Sequence, residues 1–218
     1  MKLVFMLFPG VTALDVVGPY EVLARLPGAE VVFAGLTRGE ARTDNRCLGL
    51  VADVALEEVA AADVLLVPGG FGTRALERDA RVLDWVRAID AGTRVTASVC
   101  TGALVLGAAG LLRGRRANTH WAVRERLAEH GAIPVAERVV RDGKYASAAG
   151  VSAGIDLALV LAEELAGRAV AQAIQLGIEY DPAPHLDAGD PRRAPAEIRD
   201  AVLARVRGRD AALKQQAG

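Results

Sequence analysis

The alternation of apolar and polar positions divides the chain into short buried strands separated by helix-period segments. Residues 2–8 (KLVFMLF) form a nearly unbroken apolar run closed by Pro9-Gly10, which reads as a buried strand. Residues 16–26 carry Val16, Tyr20, Leu23 and Ala24 at helical spacing. Pro19 belongs in a first turn, so the predicted helix starts close to Asp15. Residues 31–35 and 64–67 are two further strands, the second stopping at Pro68-Gly69-Gly70. Between them, 43–53 reads as turn and hairpin, punctuated by Asp44-Asn45. Residues 80–91 predict an amphipathic helix with Val82, Trp85, Val86 and Ile89 on one face. A β-rich run over 95–99 ends at Cys100, and a small-residue helix follows over 101–109. Another helix is expected over 120–129, then a hairpin pairing 139–141 with 144–147 across Asp142-Gly143. Ser152 opens a long apolar helix to about Leu165, and 170–176 continues helical after Gly167. Residues 181–195 are rich in Pro and Asp and show no hydrophobic period, whereas 197–209 returns to helix with Ile198, Val202 and Val206 on one stripe.

Strands alternating with helices of this length imply an α/β fold. It is expected to be a mostly parallel twisted sheet with helices on both faces, a flavodoxin-like three-layer sandwich. The expected organisation is one α/β domain over 1–218 with a C-terminal extension, 181–218. In such sheets functional groups gather beyond the carboxyl ends of the strands. Candidate strand ends are the loop over 9–15, Pro68-Gly69-Gly70, Cys100-Thr101, and Ala148-Ala149-Gly150.

Composition narrows the functional classes. With 52% hydrophobic but only 4% aromatic residues, the core must be built from Ala, Val and Leu. A net charge of −1, from 26 basic and 27 acidic residues, argues against a nucleic-acid surface. No run is apolar and charge-free for long enough to span a bilayer, and no secretory leader pattern is visible, so a cytoplasmic protein is expected. Two cysteines, Cys47 and Cys100, make no disulfide framework and fit a reducing compartment. Cys47 is expected to be a small core residue.

The chemistry centres on Cys100. A strand that ends at a nucleophile and turns straight into a helix is a nucleophile elbow, here with cysteine in the usual place of serine. Unpaired helix N–H groups and the positive end of the dipole favour a thiolate there, so a lowered pKa is expected. A buried structural cysteine is the competing reading. Asp15 can serve as acid-base partner to the thiol or as an N-cap. A nearby thiolate would raise its pKa by repulsion. Gly69 and Gly70 can turn backbone N–H groups toward developing charge, or merely make a tight turn. Thr101 can reach Asp15 or substrate, or satisfy its own backbone. His120, between Thr119 and Trp121, is a possible base for the cysteine but is better read as a ring packed near the site. His130 and His185 are expected at the surface. Scattered histidines and cysteines give no ligand spacing, so no metal is expected. Gly69-Gly70-Phe71-Gly72 lacks the residues of a phosphate or dinucleotide loop.

These residues carry a resemblance that spans nearly the whole chain. The chain resembles the PfpI-type, cysteine-elbow branch of the glutamine-amidotransferase-like superfamily, and within it the isocyanide hydratases. The matching stretches include Leu14-Asp15, Gly18-Pro19, Val67-Pro68-Gly69-Gly70, Ser98-Val99-Cys100-Thr101-Gly102 and Thr119-His120-Trp121. They continue through Ala153-Gly154-Ile155-Asp156 and Glu179-Tyr180. The resemblance implies cofactor-independent addition of water to an isocyanide, giving an N-substituted formamide. Cys100 would form a covalent thioimidate, Asp15 would move protons, and the Gly70 and Thr101 amides would hold the reacting group. It also implies a homodimer. Ala148-Ala149-Gly150 stands where these hydratases carry a glycine run, and Val151 where a larger Ile is familiar; both bear on substrate size. A protease or glyoxalase-like relative would want His after the cysteine or Glu near the first helix, where this chain has Thr101 and Asp15. The remaining alternatives are a stand-alone ligand- or redox-sensing domain akin to the sensors of AraC-type regulators, or a glyoxalase-like cysteine hydratase.

Overall fold

The structure, a computed structural model, describes residues 1–216. The chain divides into two compact units, 1–179 and 180–218. The first unit is built on a seven-stranded sheet. Its strands, in chain order, are β1 (Lys2–Leu7), β2 (Glu30–Gly35), then the separate hairpin β3 (Gly39–Arg42) and β4 (Gly49–Ala52). They continue with β5 (Val54–Ala55), β6 (Val64–Val67), β7 (Val95–Val99), a small pair β8 (Arg116–Ala117) and β9 (Ile133–Pro134), then β10 (Val139–Asp142) and β11 (Tyr145–Ala148). The main sheet runs β10-β11-β7-β6-β1-β2-β5. Every pair in it is parallel except β10–β11. The helices are α1 (Ala13–Leu23), α2 (Thr73–Leu76), α3 (Ala80–Asp90), α4 (Gly102–Ala108), α5 (Arg126–Glu129), α6 (Ala153–Ala166) and α7 (Arg168–Gly177). The second unit contains α8 (Ala196–Gln216). No helix among the described residues is long and apolar enough to cross a membrane.

The expected α/β architecture is what the chain adopts, and burial explains it. Leu3 to Phe8 and Val64 to Val67 are wholly buried, as central parallel strands covered on both faces must be. Helices α1 and α6 pack on each other, and glycines set their distance. A Cβ on Gly18 would come within 3.0 Å of Ile155, and one on Gly154 within 3.0 Å of Pro19 and 3.1 Å of Val99. Helix α4 lies against β6 and β7 and is flanked by α2, α3 and α5. Asp79 caps α3 by accepting from the Arg81 and Val82 amides at 3.0 and 3.4 Å. The β10–β11 turn places Gly143, at φ 60°, in the first of its two central positions, where a type II′ turn wants glycine.

Several expected boundaries move. Helix α1 begins at Ala13, ahead of Asp15, and Pro19 lies inside it rather than in its first turn. Proline has no N–H to offer the Asp15 carbonyl four residues back, so α1 gives up one internal bond and is held by packing on α6 instead. The continuous helix expected over 120–129 breaks into a 3-10 turn, Trp121–Val123, and the single turn of α5. Arg124 donates from Nε to Asn118 Oδ1 at 2.9 Å between the two pieces. Cys47, expected in the core, is exposed in the β3–β4 loop, where its amide donates to Asn45 Oδ1 at 3.0 Å. His130, expected at the surface, packs its ring against Gly107 beside the Glu77–Arg126 ion pair. Helix α8 runs beyond the expected Arg209 to Gln216, and residues 217 and 218 lie outside the described residues.

Candidate active site

Four adjacent strands, β11, β7, β6 and β1, deliver their carboxyl ends to one place. Cys100 follows directly on β7 and takes φ 55°, a conformation costly for any residue but glycine. The surroundings enforce it. The Cys100 amide donates to the carbonyls of Ala149 and Ala148, at 2.9 and 3.2 Å, at the carboxyl end of β11. Its own carbonyl accepts from Thr119 Oγ1 at 2.7 Å. Gly102 must lack a side chain, since a Cβ there would sit 2.0 Å from the Val67 carbonyl oxygen. The result is a sharp strand-to-helix turn with the cysteine almost fully buried, at 5% exposure.

Asp15 is wholly buried at 0% exposure. It sits in the first turn of α1 but does not cap it: its Oδ2 accepts the Gly69 amide across the site at 2.9 Å. Its Oδ1 has no hydrogen-bond partner among the described residues, and the carboxylate interacts with the Cys100 thiol. The loops are stitched together around this pair. The Thr12 amide donates to Gly69 O at 2.9 Å, and the Gly72 amide to Gly10 O at 3.1 Å. Gly69 itself is irreplaceable in this geometry, because a Cβ would fall 2.5 Å from the Thr101 nitrogen and 2.8 Å from Asp15 Oδ2.

Burial raises the Asp15 pKa from 3.8 to about 7, opposed by the Gly69 amide and the Cys100 thiol and aided by the charge of Asp44. The expected direction is found, but its cause is desolvation rather than repulsion by a thiolate. For Cys100 the expectation is reversed. Burial first, then the neighbouring Asp15 charge, push the thiol well above its ordinary value; the Thr101 amide and the Arg74 charge pull the other way without prevailing. A short helix start cannot offset the loss of water around a sulfur next to a carboxylate. The pair therefore retains a proton near neutral pH.

Thr101 stands at the start of α4, yet its hydroxyl touches neither Asp15 nor open space. It accepts from the Gly70 amide at 2.9 Å and pairs with Thr73 Oγ1 at 3.1 Å. The Gly70 amide is thus engaged, which corrects the expectation that it holds the reacting group. The Thr101 amide is the backbone donor directed at the sulfur. His120 Nδ1 accepts from the Ala122 amide at 3.3 Å, leaving the neutral ring's proton on Nε2. Burial and the charges of Arg74 and Arg124 hold its pKa down. The ring packs at Gly150, where a Cβ would come within 2.9 Å of Cδ2, so it borders the site rather than pairing with the thiol. Gly150 and Val151 are half-buried at the entry to α6.

Three contributors are not marked in the sequence. Arg74 and Thr73 lie on the single turn of α2, too short to show a hydrophobic period. Arg74 stacks over Phe71 at 5.4 Å and donates to Thr73 Oγ1 at 3.1 Å. Asp44 joins the site from the β3–β4 loop by accepting from Thr12 Oγ1 at 2.8 Å. In the sequence it reads only as a turn residue.

Comparison with known proteins identifies relatives of this fold. The DJ-1/PfpI family matches residues 1–164. An isonitrile hydratase of Pseudomonas putida is 47% identical over 208 residues, covering 94% of this chain and 90% of that protein. A THiJ/PfpI family protein from Pseudomonas syringae superimposes with a TM-score of 0.92 at 37% identity, covering 96% of this chain and 89% of that one. The HTH-type transcriptional regulator CdhR of Pseudomonas aeruginosa is 35% identical over 118 residues, 53% of this chain and 35% of that protein. An elbow cysteine at positive φ, a buried carboxylate facing it and a family match over residues 1–164 lead to one assignment: the chain belongs to the DJ-1/PfpI family.

Proposed function

We propose that this protein is an isocyanide hydratase in which Cys100 is the nucleophile and Asp15 the proton carrier. The observation that carries the reading is the Asp15 carboxyl, held by Gly69 beside the Cys100 thiol at a pKa of about 7. A general acid-base works best with a pKa near the working pH. The 47% identity to an isonitrile hydratase supports the same chemistry.

The sulfur bonds to the terminal carbon of R–N≡C while the thiol proton passes through Asp15 to that same carbon. The product is a thioimidate, Cys100–S–CH=N–R. Water then adds to the carbon as Asp15 takes one of its protons and returns it to the nitrogen. The C–S bond breaks, the carbonyl forms, and the hydroxyl proton returns to sulfur through the carboxylate. R–NH–CHO leaves and the enzyme is restored, with one water consumed. The Thr101 amide steadies the sulfur as negative charge develops and departs. Neutral His120 and the Gly150–Val151 entry to α6 border the space for R. No step calls for a cofactor.

The test is formamide formation from a simple aryl isocyanide by the wild type, Cys100→Ala and Asp15→Asn. Loss of turnover in Cys100→Ala and a fall of about 10²–10⁴-fold in Asp15→Asn are expected. Undiminished turnover in Asp15→Asn would demote Asp15 to a structural group. Wild type silent on several isocyanides would hand the site to ligand sensing. We further infer a homodimer acting in the reducing cytoplasm; a monomer at micromolar concentration by light scattering would sink the first part.

A further inference from the structure

Beyond the nucleophile and its proton carrier, the site contains a chain of polar groups running from α2 to the start of α4. Arg74 Nη1 donates to Thr73 Oγ1 at 3.1 Å. Thr73 Oγ1 lies 2.8 Å from the Gly70 carbonyl and 3.1 Å from Thr101 Oγ1. Thr101 Oγ1 in turn receives the Gly70 amide at 2.9 Å. Both threonines are buried, so each contact is made where water cannot substitute. The planar guanidinium lies over the Phe71 ring, which fixes its position as a bare hydrogen bond would not.

We propose that Arg74 is a positioning residue for Cys100: it anchors the Thr73–Thr101 hydroxyl pair that fixes the start of α4, and it carries a positive charge at the head of that chain. Thr101 supplies the amide directed at the sulfur, so the hydroxyl pair that pins Thr101 also aims that amide. The charge has a separate effect. Arg74 is the cation acting on Cys100, opposing the Asp15 carboxylate, and it acts on His120 as well. Asp15 from α1 is the carboxylate interacting with the thiol, and Arg74 from α2 bears on it through its charge and the Thr73–Thr101 pair. Asp44 bears on Asp15, while His120 is bordered by Arg74 and Arg124.

Two properties follow. Removing the charge raises the pH at which Cys100 becomes reactive, and removing a hydroxyl loosens the elbow, moving that pH by less because only the aim of the Thr101 amide changes. The measurement is the pH dependence of Cys100 alkylation by iodoacetamide, made in a Cys47→Ser background because Cys47 is exposed. It is paired with formamide kinetics. Alkylation needs no isocyanide, so only the kinetic arm rests on the hydratase reading, and failure of that reading leaves the alkylation arm intact. Arg74→Gln is expected to raise the alkylation midpoint by about half to one pH unit, the effect of one opposite charge discounted for partial exposure. Arg74→Lys is expected to restore the midpoint, but not the full kcat, because a single ammonium cannot both stack on Phe71 and hold Thr73. Thr73→Val, which keeps the charge, is expected to move the midpoint less than Arg74→Gln does and to lower kcat about tenfold. An Arg74→Gln midpoint equal to wild type, or an Arg74→Lys midpoint equal to that of Arg74→Gln, overturns the charge half. Wild-type kcat in Thr73→Val overturns the positioning half. Should Arg74→Gln fold poorly, Arg74→Met supplies the uncharged comparison for the charge half, and Thr73→Val still decides the positioning half.

Discussion

Replacing Asp15 with Asn should make the protein more resistant to unfolding relative to wild type as the pH rises, although it cripples the site. The carboxyl titrates at about 7 in the folded protein against an ordinary 3.8. Between those values the unfolded chain surrenders the proton while the folded chain keeps it, so raising the pH favours unfolding. Above pH 7 both states are ionised and the penalty is complete. A tenfold change in proton affinity is worth about 1.4 kcal/mol, so burying this group costs the folded state about 4 kcal/mol at high pH and almost nothing at pH 4. Asparagine has no proton to lose. Its carbonyl can still accept the Gly69 amide, but its NH₂ enters a buried space at a pH-independent cost of about 1–3 kcal/mol. Urea unfolding of both proteins from pH 4 to 8 isolates the titrating part. The difference between variant and wild type should move in the variant's favour by about 2–4 kcal/mol over that range. A difference that stays constant with pH would refute the claim that Asp15 is buried with a raised pKa.

Other substitutions probe other joints of the structure. Gly69→Ala should cut kcat/KM by about 10²-fold and destabilise by about 1–3 kcal/mol, because its Cβ would press on Thr101 N and Asp15 Oδ2; steady-state kinetics with a urea midpoint check it. Thr101→Val leaves the buried Gly70 amide without an acceptor and should cost about 1–3 kcal/mol in urea unfolding, most of which Thr101→Ser should recover. Asp90→Asn tests a polar cluster away from the site. Asp90 accepts from Thr96 Oγ1 at 2.6 Å and Tyr145 OH at 3.2 Å and pairs with Lys144 at 3.1 Å. Its loss should lower stability by about 1–3 kcal/mol and leave the pH profile of Cys100 alkylation unchanged.

The sequence carried much of this site because the site is made at strand ends, and strands ending at Pro, Gly or a lone Cys are visible as breaks in hydrophobic pattern. Cys100 was legible from the switch of period at residue 100, and Asp15 from its place after the first strand. What stayed hidden depended on three-dimensional proximity or on short elements. Helix α2 is a single turn, so Thr73 and Arg74 had no periodicity to announce them. Pro19 pointed to the wrong helix start because packing between α1 and α6 overrides a missing hydrogen bond. The thiol's pKa went the other way because a helix dipole can be read from sequence, whereas burial against a carboxylate cannot. The Gly70 amide looked available from its place after β6. Only the fold shows Thr101 Oγ1 across from it at 2.9 Å.

The most direct measurement is intact-protein mass spectrometry of Cys47→Ser and Cys47→Ser/Asp15→Asn, each mixed with an aryl isocyanide and quenched within the first turnover. The expected result is a mass increase of one isocyanide, mapped to Cys100, with formamide released from the protein that retains Asp15. The adduct should also form or clear more slowly in the Asp15→Asn protein. Formamide produced with no adduct at Cys100, or produced equally well by Cys100→Ala, would contradict covalent hydration at this elbow.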